Sequence, residues 1–258
     1  MDLGIHGRVA IVTGGSRGLG RSAALSLARE GVRVAICARN PEDLHRTVQK
    51  LRDLGAEAMG VVADVTHPEG PEKVYRETLE RYGQVDILVN NVGGRRGGQS
   101  LEDTTEQDFL DALMLNLFSA IRLTRLALPE MRRRRWGRII NIASIWGREY
   151  GGTIAYMTAK AALIAFTKGL ARQVAKDNVL VNSVAPGSIL FPGGGWDRFI
   201  RTNPPEVVEE FIARNLPMGR FGWPEPVGDL VAFLASERAS LITGACINID
   251  GGQSYSLI

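Results

Sequence analysis

The amino-acid sequence predicts a doubly wound α/β fold, in which one parallel sheet of about seven strands carries helices on both faces. Three observations lead there. Short apolar runs alternate with amphipathic stretches along the chain, and a glycine-rich turn joins the first run directly to a helical pattern. The third is size: 258 residues, 45% hydrophobic and 23% charged, can bury one large core without a second. Residues 1–258 are therefore read as a single domain.

Residues 8–13 are the first apolar run, and Gly14, Gly15, Ser16, Arg17, Gly18, Leu19 and Gly20 follow it at once. An Ala- and Leu-rich helical pattern then continues to Gly31. This order puts free backbone N–H groups at a helix N-terminus, where a pyrophosphate is favoured, and the glycines let backbone approach it. The spacing, G-x-x-x-G-x-G, differs from G-x-G-x-x-G, but its strand and helix flanks are those of a Rossmann-type dinucleotide site.

Residues 32–38 read as the second strand, ending at Arg39 and Asn40. An acid near this point would hold the ribose 2′-OH of NAD, whereas a base accommodates the 2′-phosphate of NADP. Residues 35–40 contain no acid. Arg39, with Arg17 from the glycine turn, is expected to fork a phosphate, which favours NADP(H) over NAD(H); solvated loop arginines are the alternative.

Asn40 caps an amphipathic helix over 41–54, and 58–62 is the third strand. Asp64 follows, placed either to hydrogen-bond an adenine or to cap a turn. A helix over 71–82 and a fourth strand over 86–90 continue the alternation. Asn90, Asn91 and Gly93 leave the carboxyl end of that strand, where ligands gather in open α/β sheets. Arg95 and Arg96 extend the loop, as a lip of a substrate cleft or as exposed polar chain. Residues 105–135 hold one long helix or two abutting ones, with Asn116 in their apolar centre. A buried amide there either bends the helix, anchors a water or is satisfied within the core.

A fifth strand over 137–142 leads to Ser144, just past its carboxyl end. A helix over 152–176 follows, on which Tyr156 and Lys160 are four residues apart and share a face. A phenol is a weak acid-base catalyst at neutral pH. A fixed ammonium about 4 Å away at an effective dielectric of about 20 would contribute roughly 4 kcal/mol, or on the order of three pKa units. Such a pair suits proton transfer at an alcohol or carbonyl oxygen, although Tyr and Lys at this spacing also occur as plain surface pairs.

Together, Thr13-Gly14-x-x-x-Gly18-x-Gly20, Asn90-Asn91-x-Gly93, Asn116, Ser144 and Tyr156-x-x-x-Lys160 resemble the short-chain dehydrogenase/reductase family. Pro186-Gly187 after a sixth strand, Thr243-Gly244 and Asp250-Gly251-Gly252 extend the resemblance over nearly the whole chain. It implies interconversion of a ketone or other carbonyl with a secondary alcohol by hydride transfer, with Tyr156 as the acid-base residue. Lys160 would lower the Tyr156 pKa and bind the nicotinamide ribose, Ser144 would hold the substrate oxygen, and Asn116 would hold a water for proton relay. The glycine turn, Asp64, Val65 and Asn90 would meet the adenosine half of the cofactor; Asn91 and Gly93 would flank it, and Pro186, Gly187 and Ile189 would meet the nicotinamide end. Phe191 stands where the family often has a Thr, and Val92 where it has Ala.

The resemblance also places a substrate-binding lid at about residues 189–216, and glycines with bulky aromatics suit one. Trp146, Tyr150 and Trp196 are the expected aromatic pocket. The helix over 227–235 and the strand over 246–249 resemble elements that pair subunits, which implies a homotetramer. Among family members the likeness is to 3-oxoacyl-(acyl carrier protein) reductases, whose basic residues meet an acidic carrier protein; the run Arg132 to Arg135 with Arg138 stands at that place. Asp177 argues the other way, so a general carbonyl substrate is the first expectation and an acyl thioester the second. A non-catalytic nucleotide-binding relative would lack Ser144, Tyr156 or Lys160, and none is missing.

The net charge of +3, with its positive residues scattered, gives no nucleic-acid footprint, and the arginine run reads as a solvated helix end. No leader and no run of eighteen apolar residues stand out, so no membrane partner is expected and a cytoplasmic location is. Cys37 and Cys246 lie in apolar runs as reduced thiols, and the three histidines lack metal-ligand spacing.

Overall fold

The computed structural model describes residues 1–257. Its centre is one seven-stranded parallel sheet in the order β3-β2-β1-β4-β5-β6-β7. The strands are β1 (Val9–Thr13), β2 (Arg33–Ala38), β3 (Ala58–Val62), β4 (Ile87–Asn90), β5 (Gly137–Ile142), β6 (Val179–Pro186) and β7 (Cys246–Ile249). β1, β4, β5 and β6 are buried on both faces, which is why their sequences read as continuous apolar runs rather than alternating ones.

Successive residues of each strand feed two different cores. Ala10, Val12, Val34 and Ile36 face α1 (Gly18–Arg29), α2 (Pro41–Asp53) and α9 (Pro224–Ala235). Val9, Ile11, Ala35 and Leu88 face α3 (Glu69–Tyr82), α5 (Ser119–Arg134) and α6 (Ile154–Val174). The strand order reverses at β1, which pairs with β2 on one side and β4 on the other. The loops after β1 and β4 therefore open side by side at the carboxyl edge, where a crevice forms.

The region between β4 and β5 is one continuous helix. α4 (Glu106–Leu113) runs through a π-helical turn at Met114–Phe118 into α5, so the structure chooses the single-helix alternative. At 29 residues, Glu106–Arg134 is long and apolar enough to cross a membrane by length and composition. Here Leu123, Ala127 and Met131 are buried against the sheet. α6 starts later than expected because Gly151 and Gly152 have φ of +155° and +77°, values a helix does not contain. It ends earlier because Ala175–Asp177 tighten into a 3₁₀ turn.

The arginine run closes α5 with Arg132, Arg133 and Arg135 exposed, as a solvated helix end would be, but Arg134 turns inward. Arg134 pairs with the fully buried carboxylate of Asp86 and donates to the Val85 carbonyl at 2.6 Å. Arg132 donates to Asp177 at 2.6 Å, Arg133 pairs with Glu130, and Arg135 donates to the Lys176 carbonyl. Arg138 is fully buried beside Trp136 and reaches Glu237 at 3.4 Å. Arg134 thus ties the end of α5 to the start of β4, and Arg138 ties β5 to the turn at Glu237, while Arg132 and Arg135 reach the turn at 175–177.

Candidate active site

Ser144 follows the carboxyl end of β5 and opens a short 3₁₀ turn, Ile145–Gly147. Its Oγ accepts the backbone N–H of Trp146 at 3.2 Å, and the Ser144 hydroxyl is near enough to the Tyr156 hydroxyl to favour its ionised form. α6 packs against β6 and this turn, which delivers Tyr156 and Lys160 to the same strand end. Lys160 is buried, and its Nζ donates to the carbonyl oxygen of Ile142 at 2.7 Å.

The electrostatics differ from the expectation of an ammonium acting directly on the phenol. Lys160 Nζ lies 5.7 Å from the centroid of the Tyr156 ring, and burial lowers its pKa to about 7. Burial raises the Tyr156 pKa, against the smaller lowering effects of the Ser144 hydroxyl and the positive charge of Arg95. Desolvation thus outweighs charge attraction here, and the protonated phenol is the form the pocket favours.

Gly93 explains how close the parts come. A Cβ at this position would stand 2.7 Å from Asn116 Oδ1 and 2.9 Å from Lys160 Nζ, so only glycine lets β4's loop pass between them. Asn116 sits in the π turn with its amide fully engaged. Its Nδ2 donates to the carbonyls of Gly94 and Ala112, each at 2.9 Å, while Oδ1 accepts the Gly94 N–H at 3.0 Å. The side chain is a clamp on the Gly93–Gly94 loop, its amide satisfied by backbone of that loop and of its own helix.

Around the glycine turn, Gly14 and Gly18 adopt left-handed φ of +62° and +53°. Asn91 Nδ2 donates to the carbonyls of Thr13 (2.8 Å) and Gly14 (3.3 Å), which locks the β1 and β4 loops together. Ser16 is nearly buried with its carbonyl bonded by Thr47 Oγ1, Leu19 is half-buried, and Gly20 is buried at the start of α1. Phe191 lies over this turn: its ring carbons stand 2.7 Å from where a Gly18 Cβ would be. The Arg17 guanidinium reaches the Gly193 carbonyl at 3.4 Å, so the segment after β6 rests on the turn at two points.

Arg39 is exposed and pairs with Asp64 at 3.7 Å. Asp64 also accepts from the Thr66 N–H and hydroxyl, and although burial pulls its pKa up, these hydrogen bonds and the Arg39 charge leave it lowered. It is a turn cap as well as a carboxylate at the crevice. Val65 is buried in the core on the α3 side of the sheet, so it offers a ligand backbone rather than side chain. Pro186 ends β6 opposite Ile249, Gly187 has no room for a Cβ beside Asp250 and Gln253, and Ile189 is buried and bridges Gly222.

α7 (Gly195–Thr202) and α8 (Pro205–Asn215) form the segment after Phe191. Trp196 packs on Phe211 (4.7 Å between centroids), Phe221 (5.2 Å), Phe199 (5.6 Å) and Trp146 (6.4 Å). Trp146 joins this cluster to the Ser144 turn. Tyr150 does not take part: it is 92% exposed and makes none of these ring contacts, because Gly151 and Gly152 turn the chain under the Trp146 ring. Phe211 and Phe221 were missed from sequence, since neither is near the motif residues in the chain. Arg95 projects onto this cluster as well, 4.7 Å from the Trp146 centroid and 5.9 Å from that of Trp196.

Residues 8–193 match the model of the short chain dehydrogenase family. The chain belongs to that family. It is an oxidoreductase, and its relatives cover nearly its whole length. It is 38% identical over 259 residues to the 3-oxoacyl-[acyl-carrier-protein] reductase of Aquifex aeolicus, which covers 98% of this chain and 100% of that one. Among solved structures, the L-sorbose reductase of Gluconobacter frateurii, complexed with NADPH and L-sorbose, superposes with a TM-score of 0.92 at 33% identity over 100% of both chains. A 7α-hydroxysteroid dehydrogenase complexed with NADH and 7-oxo glycochenodeoxycholic acid gives 0.89 at 30% identity, over 100% of this chain and 98% of that one.

Proposed function

We propose that this member of the family is an NADP(H)-dependent carbonyl reductase in which Tyr156 donates and recovers the proton at the substrate oxygen. The convergence of Ser144, just past β5, with Tyr156 and Lys160 of α6, whose Nζ is anchored on the Ile142 carbonyl at the end of the same strand, carries the reading. It puts two hydroxyls at one point, beside a buried lysine, where a carbonyl oxygen could accept from both.

The residues fit a nicotinamide dinucleotide. The left-handed Gly14 and Gly18 open backbone at the N-terminus of α1, and the adjoining β4 loop is held back by Asn91 and by Gly93. Gly14 to Gly20 and Arg17 would hold the phosphates, Asp64 and Val65 the adenosine, and Pro186, Gly187 and Ile189 the nicotinamide end. When bound, that group supplies or accepts the hydride. The protein's own work is on the proton. In reduction the protonated Tyr156 gives its hydrogen to the carbonyl oxygen as the Ser144 hydroxyl steadies the charge there. In oxidation a deprotonated Tyr156 takes the hydrogen of the alcohol. Lys160, with a pKa near 7, exchanges its own proton in the working range and can restore that of Tyr156.

The cofactor preference rests on Arg39 and Arg17 and on the absence of an acid from 35 to 40. The lid over 189–216 rests on the aromatic cluster, whose Trp196 is carried by α7 and whose Trp146 adjoins Ser144. A homotetramer is consistent with the half-exposed edge strand β7 and with Leu241 and Leu257, which stand fully in solvent in the single chain. Two free thiols suit a reducing, cytoplasmic setting.

A second reading, reduction of a 3-oxoacyl thioester on a carrier protein, follows from the name of the Aquifex aeolicus relative. The internal pairing of Arg132 and Arg134 and the burial of Arg138 subtract from the basic surface such a partner would meet. Initial rates of NADPH and NADH consumption with acetoacetyl thioesters, diketones and simple ketones test both. Turnover lost in Tyr156→Phe with cofactor binding kept is the expected result; unchanged turnover would overturn the proton role.

A further inference from the structure

Arg95 is a cation with no carboxylate partner among the described residues, beside the aromatic cluster that adjoins Ser144. It lies in the loop after β4, and its guanidinium carbon is over the Trp146 ring, 4.7 Å from the centroid, and 5.9 Å from that of Trp196. Among the described residues its guanidinium donates no hydrogen bond. Its neighbour Arg96 behaves differently, turning back to donate to the Arg95 carbonyl at 2.9 Å. Most of the other arginines near helix ends and strands are tied to an acid or a carbonyl, as Arg132 and Arg134 are.

That placement explains what Arg95 still has to offer. A guanidinium laid on aromatic faces uses its π surface, while its N–H donors remain in the plane of the group, arranged as a fork that matches a carboxylate. Arg95 is exposed, so the donors not turned to the indoles are open to an incoming carboxylate, which a guanidinium can hold by two hydrogen bonds. Position settles what the pair would serve. Trp146 is two residues beyond Ser144 and takes its N–H to Ser144 Oγ, and the Arg95 charge is close enough to act on Tyr156. A substrate whose carbonyl oxygen sits at Ser144 and Tyr156 therefore extends along the Trp146 ring towards Arg95.

We propose that Arg95, set against the Trp146 and Trp196 rings, is the substrate-recognition residue of this site, and that the site selects a short keto acid, or the matching hydroxy acid, by its carboxylate. This rests on the carbonyl-reductase reading. It deepens it by naming the class of substrate, and it adds a single positive charge to the expected aromatic pocket.

The test compares acetoacetate and levulinate with their methyl esters, in the wild-type enzyme and in Arg95→Gln and Arg95→Lys. The quantity read is the ratio of kcat/KM for acid to that for ester, with NADPH. The wild-type ratio should favour the acids, and Arg95→Gln should lower it about ten- to a hundredfold, chiefly through KM, with Arg95→Lys between the two. A merely structural loss would depress acid and ester alike, and an unchanged ratio overturns the proposal. Tryptophan fluorescence, with Trp136 and Trp223 each replaced by Phe so that Trp146 and Trp196 are what it reads, is titrated with the same four compounds on the NADPH-loaded protein. Tighter binding of acid than ester, lost in Arg95→Gln, supports the carboxylate role even without turnover; equal binding overturns it. Turnover of esters with no preference for acids would sink this proposal and leave the reductase reading intact. Acid-selective binding with no turnover of any carbonyl would do the reverse.

Discussion

Lys160 donates its Nζ to the carbonyl oxygen of Ile142 at 2.7 Å, joining the middle of α6 to the end of β5. The bond orients the lysine, but burial makes its charge costly, and its pKa falls from 10.5 to about 7. Between those two pH values the unfolded chain holds a proton that the folded chain has shed. The unfolded state then binds more protons, so stability rises with pH across the window and is lowest, on this account, below about 7. Denaturant unfolding of the cofactor-free protein between about pH 6 and about pH 10 should show wild type gaining on Lys160→Met as pH rises. Parallel curves for the two proteins would mean that Lys160 keeps an ordinary pKa.

Gly93→Ala tests the convergence of the site. The new Cβ would lie 2.7 Å from Asn116 Oδ1 and 2.9 Å from Lys160 Nζ, and neither neighbour is free to retreat: one is clamped to Gly94 and Ala112, the other to Ile142. Displacement of Lys160 by a fraction of an ångström is expected to cost about a hundredfold in kcat. The stability cost of such overpacking is smaller, about 1–3 kcal/mol. Circular dichroism and thermal melting separate the two, and a variant that is folded and fully active would show that Gly93 only lines a loop.

Much of this site is legible in the chain because parallel strands put distant motifs at one edge. The glycine turn, the Asn91 loop, Ser144 and the Tyr156 helix each follow a strand, and the order β2-β1-β4-β5-β6 brings the strand ends together. What cannot be read is what burial does to a charge. A spacing of four residues sets Tyr156 and Lys160 on one face, but the hydrogen bond to Ile142 and the desolvation of both groups come from packing against β5. The same holds for Arg134 and Arg138, whose partners Asp86 and Glu237 are far off in sequence. Tyr150 fails for a local reason, the left-handed glycines that follow it, and a paired glycine was the signal available.

Arg39→Ala should separate the two dinucleotides. The Arg39–Asp64 pair is largely solvated at 3.7 Å, so breaking it should scarcely change stability. If Arg39 takes the 2′-phosphate, its loss lowers kcat/KM for NADPH by about ten- to a hundredfold and spares NADH. An equal effect on both cofactors would return Arg39 to the role of a solvated loop residue that steadies Asp64.

Asp86→Ala probes stability well away from the chemistry. The Asp86 carboxylate is fully buried just before β4, where it accepts the Val9 N–H at 2.9 Å and Gln84 Nε2 at 2.8 Å, pairs with Arg134, and stands 3.7 Å from Arg8. It ties β1, β4 and the end of α5 in one cluster. Replacing it with alanine leaves two guanidinium groups without their anion and a strand N–H without an acceptor. A buried partner removed in this way costs about 3–5 kcal/mol, and in a chain of this size each kcal/mol lowers Tm by roughly 2–4 °C. A drop in Tm of roughly ten degrees is expected, with kcat of the folded fraction retained because Ser144, Tyr156 and Lys160 hang from β5 and α6. A Tm within a degree or two of wild type would show that the arginines find solvent on their own and that this cluster is not what holds β1 to β4.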